Sequence, residues 1–343
     1  MTGQTTGQTT GQPTGRIDGI DLLRGVAIGL VMLRHAWPSV FPGAGVVGVV
    51  MFFALSGYLI TGLLVDELER TGRVDLRRFY VRRARRLVPA LLLLVAGVVV
   101  VTLLLDPLGD RDELLRTVVV ALTWTGNLPF GHASDATFHL WTLATEEQFY
   151  LLWPAVLVVA SARGRVRLAL LCVAAACLLA CAATLVWLRE DPDLAYSLPT
   201  SWAVCFVIGG AARVLGRRAV VPAWPVPVVL VGLAVLSVVP LRGHALTYLA
   251  GGPAIAALTA VLLLSWRTWT DVTGPARALV VLGTVSYGAY LWNYPLTLWL
   301  RPSLDGLAGP VGLGLTLVMA ALSWRLVESR AGLRARTPAA VAA

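Results

Sequence analysis

Lysine is missing from this 343-residue sequence, so all 28 basic residues are arginine. Charge of either sign is scarce too. It makes up 14% of residues against 57% hydrophobic, whereas an ordinary soluble domain carries about 25% charge. So little polar surface cannot wrap a chain of this length in water, which excludes a soluble globule. Cysteine is rare as well: Cys172, Cys177, Cys181 and Cys205 all lie inside apolar runs. There they act as small hydrophobes, with no disulfide and no metal site expected. The start of the chain has no secretory-signal pattern. Residues 1–16 repeat Thr-Gly-Gln units, the composition of a disordered tail. The net charge of +9 is explained by cytoplasmic loops of a membrane protein before any nucleic acid is invoked.

Ten apolar runs are long enough to span a bilayer: residues 20–38, 46–66, 87–106, 139–160, 168–188, 199–216, 222–241, 246–266, 278–300 and 306–326. Residues 114–126 are too short and read as an interfacial or re-entrant piece. With the N-terminus inside, the outer side holds only Arg34, Arg111, Arg116, Arg189, Arg242 and Arg301, leaving 22 of the 28 arginines on the cytoplasmic side. The expected fold class is an all-α integral membrane protein of about ten transmembrane helices with both termini cytoplasmic. Residues 17–328 form one membrane domain and 329–343 a cytoplasmic tail.

Ionisable side chains in hydrocarbon are costly and usually face a cavity or a partner. In the first span Arg24 and His35 are eleven residues apart, which puts both on one helix face about 16 Å apart along the axis. A snorkelling arginine and a histidine at a wet helix end would give the same pattern. Ser56-Gly57 in the second span is a small pair that lets a ligand or another helix approach closely. The dense run Arg70, Arg73, Arg77, Arg78, Arg82, Arg83, Arg85 and Arg86 closes at Pro89. Its guanidinium forks suit phosphates, whether of a nucleotide or of lipid headgroups.

In the fourth span Glu146 and Glu147 lie among His139, Trp141, Thr142, Gln148, Phe149 and Tyr150. Glu146 and Tyr150 share a face. A carboxylate buried against an arginine is one explanation. Another is a carboxylate that orients His35 as a general base for a hydroxyl. Together with a phosphate-binding arginine cluster on the other side, these residues suggest group transfer across the bilayer.

Five pieces, in order, resemble the acyltransferase 3 family of bacterial membrane O-acyltransferases. They are the Arg24 to His35 spacing, Phe52-Phe-x-x-Ser56-Gly-Tyr58, Phe79-Tyr-Val-Arg82-Arg83-x-x-Arg86-x-x-Pro89, His139-x-Trp-Thr-Leu-x-x-Glu146-Glu-Gln-Phe-Tyr150, and Ser286-Tyr-Gly-Ala-Tyr290-Leu-Trp292. The resemblance runs from about Asp18 to the last span. It implies a multi-pass protein of the bacterial cytoplasmic membrane that moves an acyl group from cytoplasmic acyl-CoA, acetyl-CoA above all, to a hydroxyl of a cell-surface glycan or a glycosylated metabolite such as a macrolide. No metal and no nucleic acid are implied.

Under that resemblance His35 is the catalytic base, with Glu146 as the acid of the fourth-helix motif. Arg24, Arg82, Arg83 and Arg86 belong to the coenzyme, and Ser56, Tyr150 and Asn293 to substrate contacts. Asn293 stands where the family often has histidine, in Trp292-Asn293-Tyr294-Pro295. Without an esterase-like domain after the last span, the membrane domain is expected to complete transfer itself or with a partner. A secondary transporter of a polar or lipid-linked solute is the alternative from another class, although no internal repeat relates the two halves. A non-catalytic acyl-CoA sensor is a third.

Overall fold

In hydrocarbon each backbone N–H and C=O must be paired within its own segment or a closed barrel, so long apolar runs fold as helices. The computed structural model describes residues 17–128, 133–219 and 221–328, and among these the regular structure is helical throughout. The tails expected at 1–16 and 329–343 lie outside the described residues. The α-helices in chain order are α1 (Asp18–Ala36), α2 (Ala44–Thr71), α3 (Leu76–Leu104), α4 (Leu114–Thr123), α5 (Trp141–Ala162) and α6 (Val166–Trp187). They continue as α7 (Ala203–Leu215), α8 (Pro225–Ser237), α9 (Gly252–Trp266), α10 (Ala276–Thr284), α11 (Ser286–Leu304) and α12 (Ala308–Ser323).

Five helical stretches are long and apolar enough to cross a membrane: Ala44–Thr71, Leu76–Leu104, Val166–Trp187, Thr247–Trp266 and Ser286–Val327. The runs at 199–216 and 222–241 yield helices of only 13 residues each, α7 and α8, about 20 Å long. Proline explains the shortening. Turns beginning at Pro192 and Pro199 precede α7, and Pro225 opens α8. The weak run at 114–126 becomes the ten-residue α4, too short to span. Leu171 and Leu179 on α6 are 69% and 71% exposed, as a helix facing lipid would be.

The centre is built on α1 and α2. Leu23, Ala27, Ile28 and Val31 of α1 and Val47, Val50, Met51 and Phe53 of α2 are buried in one continuous core. Glycine permits the closest crossings. A Cβ on Gly57 would lie 1.9 Å from the Phe206 carbonyl oxygen, and one on Gly209 would lie 1.9 Å from that of Ala54. The α2 and α7 backbones therefore touch at two reciprocal points where any side chain would force them apart.

The third span, expected from the sequence to begin only at residue 87 as the arginine stretch closes, has a helix that starts earlier. While Arg70 lies in the last turn of α2, Arg77, Arg78, Arg82, Arg83, Arg85 and Arg86 belong to α3, whose helix continues through Pro89. Asp75 caps its start by accepting a hydrogen bond from the Arg78 backbone N–H at 2.9 Å. Proline costs one intrahelical hydrogen bond but does not break the helix, so the arginines and the apolar half are fixed in one register.

Candidate functional site

Side chains from α1, α2, α3, α5 and α11 enclose a cavity of about 480 Å³, within the range of about 300–1,000 Å³ usual for small-molecule sites. Arg24, Arg82, Arg83 and Arg86 all line it, together with Ser56, Glu146, Tyr150, Thr142 and Tyr290. Both Glu146 oxygens accept hydrogen bonds: Oε1 from the Ser56 hydroxyl at 3.0 Å and Oε2 from the Tyr150 hydroxyl at 3.3 Å. Ser56 and Gly57 thus divide their work, the serine turning into the cavity while the glycine meets α7. Arg83 reaches Glu147 Oε1 at 3.3 Å and lays its guanidinium on the Tyr150 ring, 3.4 Å from the centroid. Its Nε is buried with no hydrogen-bond partner among the described residues. That leaves an N–H donor for an anionic ligand. Arg82 and Arg86, one turn apart, are exposed at the cavity wall. Arg85 does not line it.

His35 lies at the far end of α1. Its Nδ1 is 2.6 Å from Asn293 Oδ1. The direction of this bond follows from its neighbours. Thr316 donates its hydroxyl proton to the Gly312 carbonyl at 2.6 Å, so its oxygen is left to accept, and Asn293 Nδ2 donates to it at 3.2 Å. The Asn293 amide must then turn its oxygen to His35, which can only donate from Nδ1–H. The imidazole lone pair is left on Nε2, the arrangement a general base requires. Asn293 and Thr316 are fully buried, so water does not compete for these bonds.

Between the cavity and His35 stands a polar and aromatic wall. Thr142 and Tyr290 share a short hydrogen bond, and the Tyr290 hydroxyl also donates to the His139 carbonyl at 2.5 Å. The His139 ring donates from Nε2 to the Leu291 carbonyl at 3.1 Å. It lies 5.3 Å from the Tyr294 ring, which is edge-on to His35 at 5.0 Å. The sequence contained these residues in its motifs but assigned none of them a place. Their signal was the density of polar side chains in two apolar runs.

Of the nine expected site residues, the seven other than His35 and Asn293 meet in this cavity: Arg24, Ser56, Arg82, Arg83, Arg86, Glu146 and Tyr150. One expectation is corrected. His35 is not oriented by a carboxylate: Glu146 is engaged by Ser56 and Tyr150, and Asn293 occupies the orienting position on His35. Glu146 sits only five residues into α5 and turns towards α2 and α3, whereas His35 sits at the end of α1 against α11. Asn293 in turn holds the histidine, at a place where the sequence suggested a substrate contact. Among the described residues no group of three or more His, Cys, Asp or Glu side chains could hold a metal ion.

The chain is 39% identical over 149 residues to the O-acetyltransferase OatA of Staphylococcus aureus, covering 41% of this chain and 24% of that protein. It is 30% identical to YrhL of Bacillus subtilis over 91% of this chain and 54% of YrhL. To the peptidoglycan O-acetyltransferase OatA of Listeria monocytogenes it is 27% identical, over 91% of this chain and 55% of that protein. The chain thus spans about half the length, or less, of these curated relatives. No solved structure matches it. The family model described as an acyltransferase domain, acyltransferase 3, matches residues 17–327, and with that span matched the chain belongs to the acyltransferase 3 family.

Proposed function

We propose that this protein is a membrane O-acyltransferase that takes an acyl group from cytoplasmic acyl-CoA and places it on a hydroxyl of a sugar-containing acceptor. The observation that carries the reading is the convergence of Arg24, Arg82, Arg83 and Arg86 on one cavity, at the end of the bundle opposite His35. Guanidinium forks suit the coenzyme's phosphates, and the unpartnered Arg83 Nε supplies a donor there. The reading takes the bundle as about ten membrane-crossing segments with both termini inside, which puts the arginine-lined cavity on the cytoplasmic side and His35 on the outer side. The relatives named for O-acetylation of peptidoglycan support acetyl-CoA as donor and a cell-surface glycan as acceptor.

In this mechanism the arginines anchor the phosphates while the coenzyme's long arm extends along α1, past Thr142 and Tyr290. His35 Nε2 takes the proton of the acceptor hydroxyl. The hydroxyl oxygen forms the new ester bond to the acyl carbon, the bond from that carbon to sulfur breaks, and the departing thiolate regains a proton from the imidazolium. Asn293 holds the ring so that Nε2 faces the reaction throughout, and Glu146 fixes Ser56 and Tyr150 along the donor's path.

Purified protein in proteoliposomes, given labelled acetyl-CoA on the arginine side, tests this when combined with mass spectrometry of surface glycans and secreted metabolites from cells with and without the gene. An acyl group lost with the gene identifies donor and acceptor together. Solute uptake with no acyl turnover would replace the proposal with a transporter.

A further inference from the structure

The end of the bundle around His35 carries charges that acyl transfer as described does not use. Arg34 precedes His35 in α1. Arg301, near the end of α11, donates to the His35 carbonyl at 3.3 Å. Arg242, after α8, places its guanidinium 4.6 Å from the Tyr196 ring and 5.8 Å from Phe138. Phe138 lies 6.5 Å from Tyr294, which meets the His35 ring at 5.0 Å. Arg34 is within electrostatic reach of both other arginines and of Tyr196 and Tyr294. The side of the protein opposite the arginine-rich end holds only six arginines by sequence, and three of them meet at this one spot.

Bringing like charges together is unfavourable unless something neutralises them. Asp193 neutralises Arg242 with two bonds of 2.7 Å. Arg301 makes no ion pair among the described residues, and Arg34 makes neither a hydrogen bond nor an ion pair among them. The exposed Asp135 is a further carboxylate in reach of Tyr294, and it makes no ion pair with Arg34 or Arg301 among the described residues. Arg34, without a polar partner among the described residues, and the exposed Arg301, which spends one donor on the His35 carbonyl, therefore flank the histidine beside the Tyr294 ring.

We infer that Arg34 and Arg301 form an anion site next to His35 that recognises a carboxylate or phosphate carried by the sugar acceptor, with Tyr196, Phe138 and Tyr294 as the surface against which the sugar lies. Planar forks match either anion in two-point contact. A neutral sugar would cover the half-buried Arg34 without pairing it, so the same residues disfavour uncharged acceptors. The inference rests on the acyl-transfer reading for what the acceptor does there, and on the arginine geometry alone for its charge.

The test uses the full chain in nanodiscs of zwitterionic lipid, with galacturonic acid trisaccharide, its methyl ester and glucose 1-phosphate as probes, read by saturation-transfer NMR. The acid or the sugar phosphate is expected to bind with affinity that falls as salt rises, and the ester at least about tenfold more weakly, in line with the loss of one charge-assisted contact. Whichever anion binds identifies the source. Arg34→Gln should bring it to the level of the ester, and Arg34→Lys should recover part of the loss. Acetyl-CoA binding at the other end of the bundle should be unchanged in both variants, which reports that they are folded.

Equal binding of acid and ester by the unmodified protein, or no binding of either anion, overturns the inference. So does a discrimination that disappears in nanodiscs containing phosphatidylglycerol, which would assign the arginines to a lipid headgroup. If the anions are distinguished but no acyl group is ever transferred, the anion site stands and the acyltransferase reading falls.

Discussion

Asn293 Oδ1 accepts the Nδ1 proton of His35 at 2.6 Å, and Thr316 fixes which way the Asn293 amide faces. An asparagine can thus impose one tautomer on a histidine when its own second group is already committed. Asn293→Leu keeps the volume but removes the acceptor, so the imidazole is free to protonate either nitrogen. The expected result is a loss of transfer of about 10- to 100-fold, smaller than the 10²- to 10⁴-fold typical of losing a general base. Coenzyme binding should be intact. Thr316→Val should act in the same direction with smaller size. Single-turnover rates on labelled acetyl-CoA measure both, and unchanged rates in the two variants would detach the pair from catalysis.

His35→Ala should abolish transfer while acyl-CoA still binds, because the arginine-lined cavity is reached from the other end of α1 through Arg24. Glu146→Gln should also slow transfer, through the Ser56 and Tyr150 bonds it accepts. Since His35 and Glu146 share no hydrogen-bond partner, the double variant should lose the product of the two single losses. Groups acting as a unit are instead strongly non-additive, so a double variant no worse than the poorer single one would reconnect the two residues.

Arg86→Ala should weaken acyl-CoA binding by about 1.5–3 kcal/mol, the worth of a hydrogen bond to a charged group, with a smaller effect at high salt. Glu147→Gln should do the opposite. Glu147 competes for Arg83 at 3.3 Å, and its neutralisation releases the guanidinium for the ligand's phosphates. Isothermal titration of both variants decides the matter. Tighter binding in Glu147→Gln supports a coenzyme role for Arg83, and weaker binding would make the ion pair structural.

Gly57→Val should lower the thermal unfolding midpoint in detergent by more than Gly29→Val, where an added Cβ meets nothing within 4 Å. At Gly57 the new atoms would fall on the Phe206 carbonyl, and overpacking of a tight contact costs about 1–3 kcal/mol or more. Midpoints that are equal for the two variants would mean that α2 and α7 separate freely.

Reporter fusions at Arg73 and Asp191 should place the first in the cytoplasm and the second outside. A reporter at Arg73 on the outer side would remove the donor route along with the topology.

Much of this architecture was legible because arginine and apolar residues sort themselves along the chain. The helical class followed from hydropathy and periodicity. That Glu146 shares a cavity with Arg24, Arg82, Arg83 and Arg86 did not, because the sequence reading put Glu146 beside His35 and the arginines on the opposite side. The helix lengths at α7 and α8 did not, since hydropathy counts residues that proline has already turned out of the helix. The partner of His35 was not legible either. Asn293 lies 258 residues away, and local periodicity says nothing about which face of α11 meets α1. Two acids next to each other drew attention to Glu146, yet the group that holds the histidine is a neutral amide.

The Thr142 and Tyr290 contact has a consequence for the bilayer itself. A protein that moves a chemical group between two aqueous compartments must not let them share water, because each elementary charge crossing a membrane at 100 mV releases about 2.3 kcal/mol and protons follow any connected file of hydrogen bonds. The threonine and tyrosine hydroxyls are bonded to each other, and Tyr290 also to a backbone carbonyl, so they are already satisfied without solvent where they line the arginine cavity. On the proposed topology this closed contact would keep the resting protein from joining the two compartments. Along the proposed route a thioester arm threading past these two side chains would part them, and by filling the gap it would keep the seal while the group is handed over.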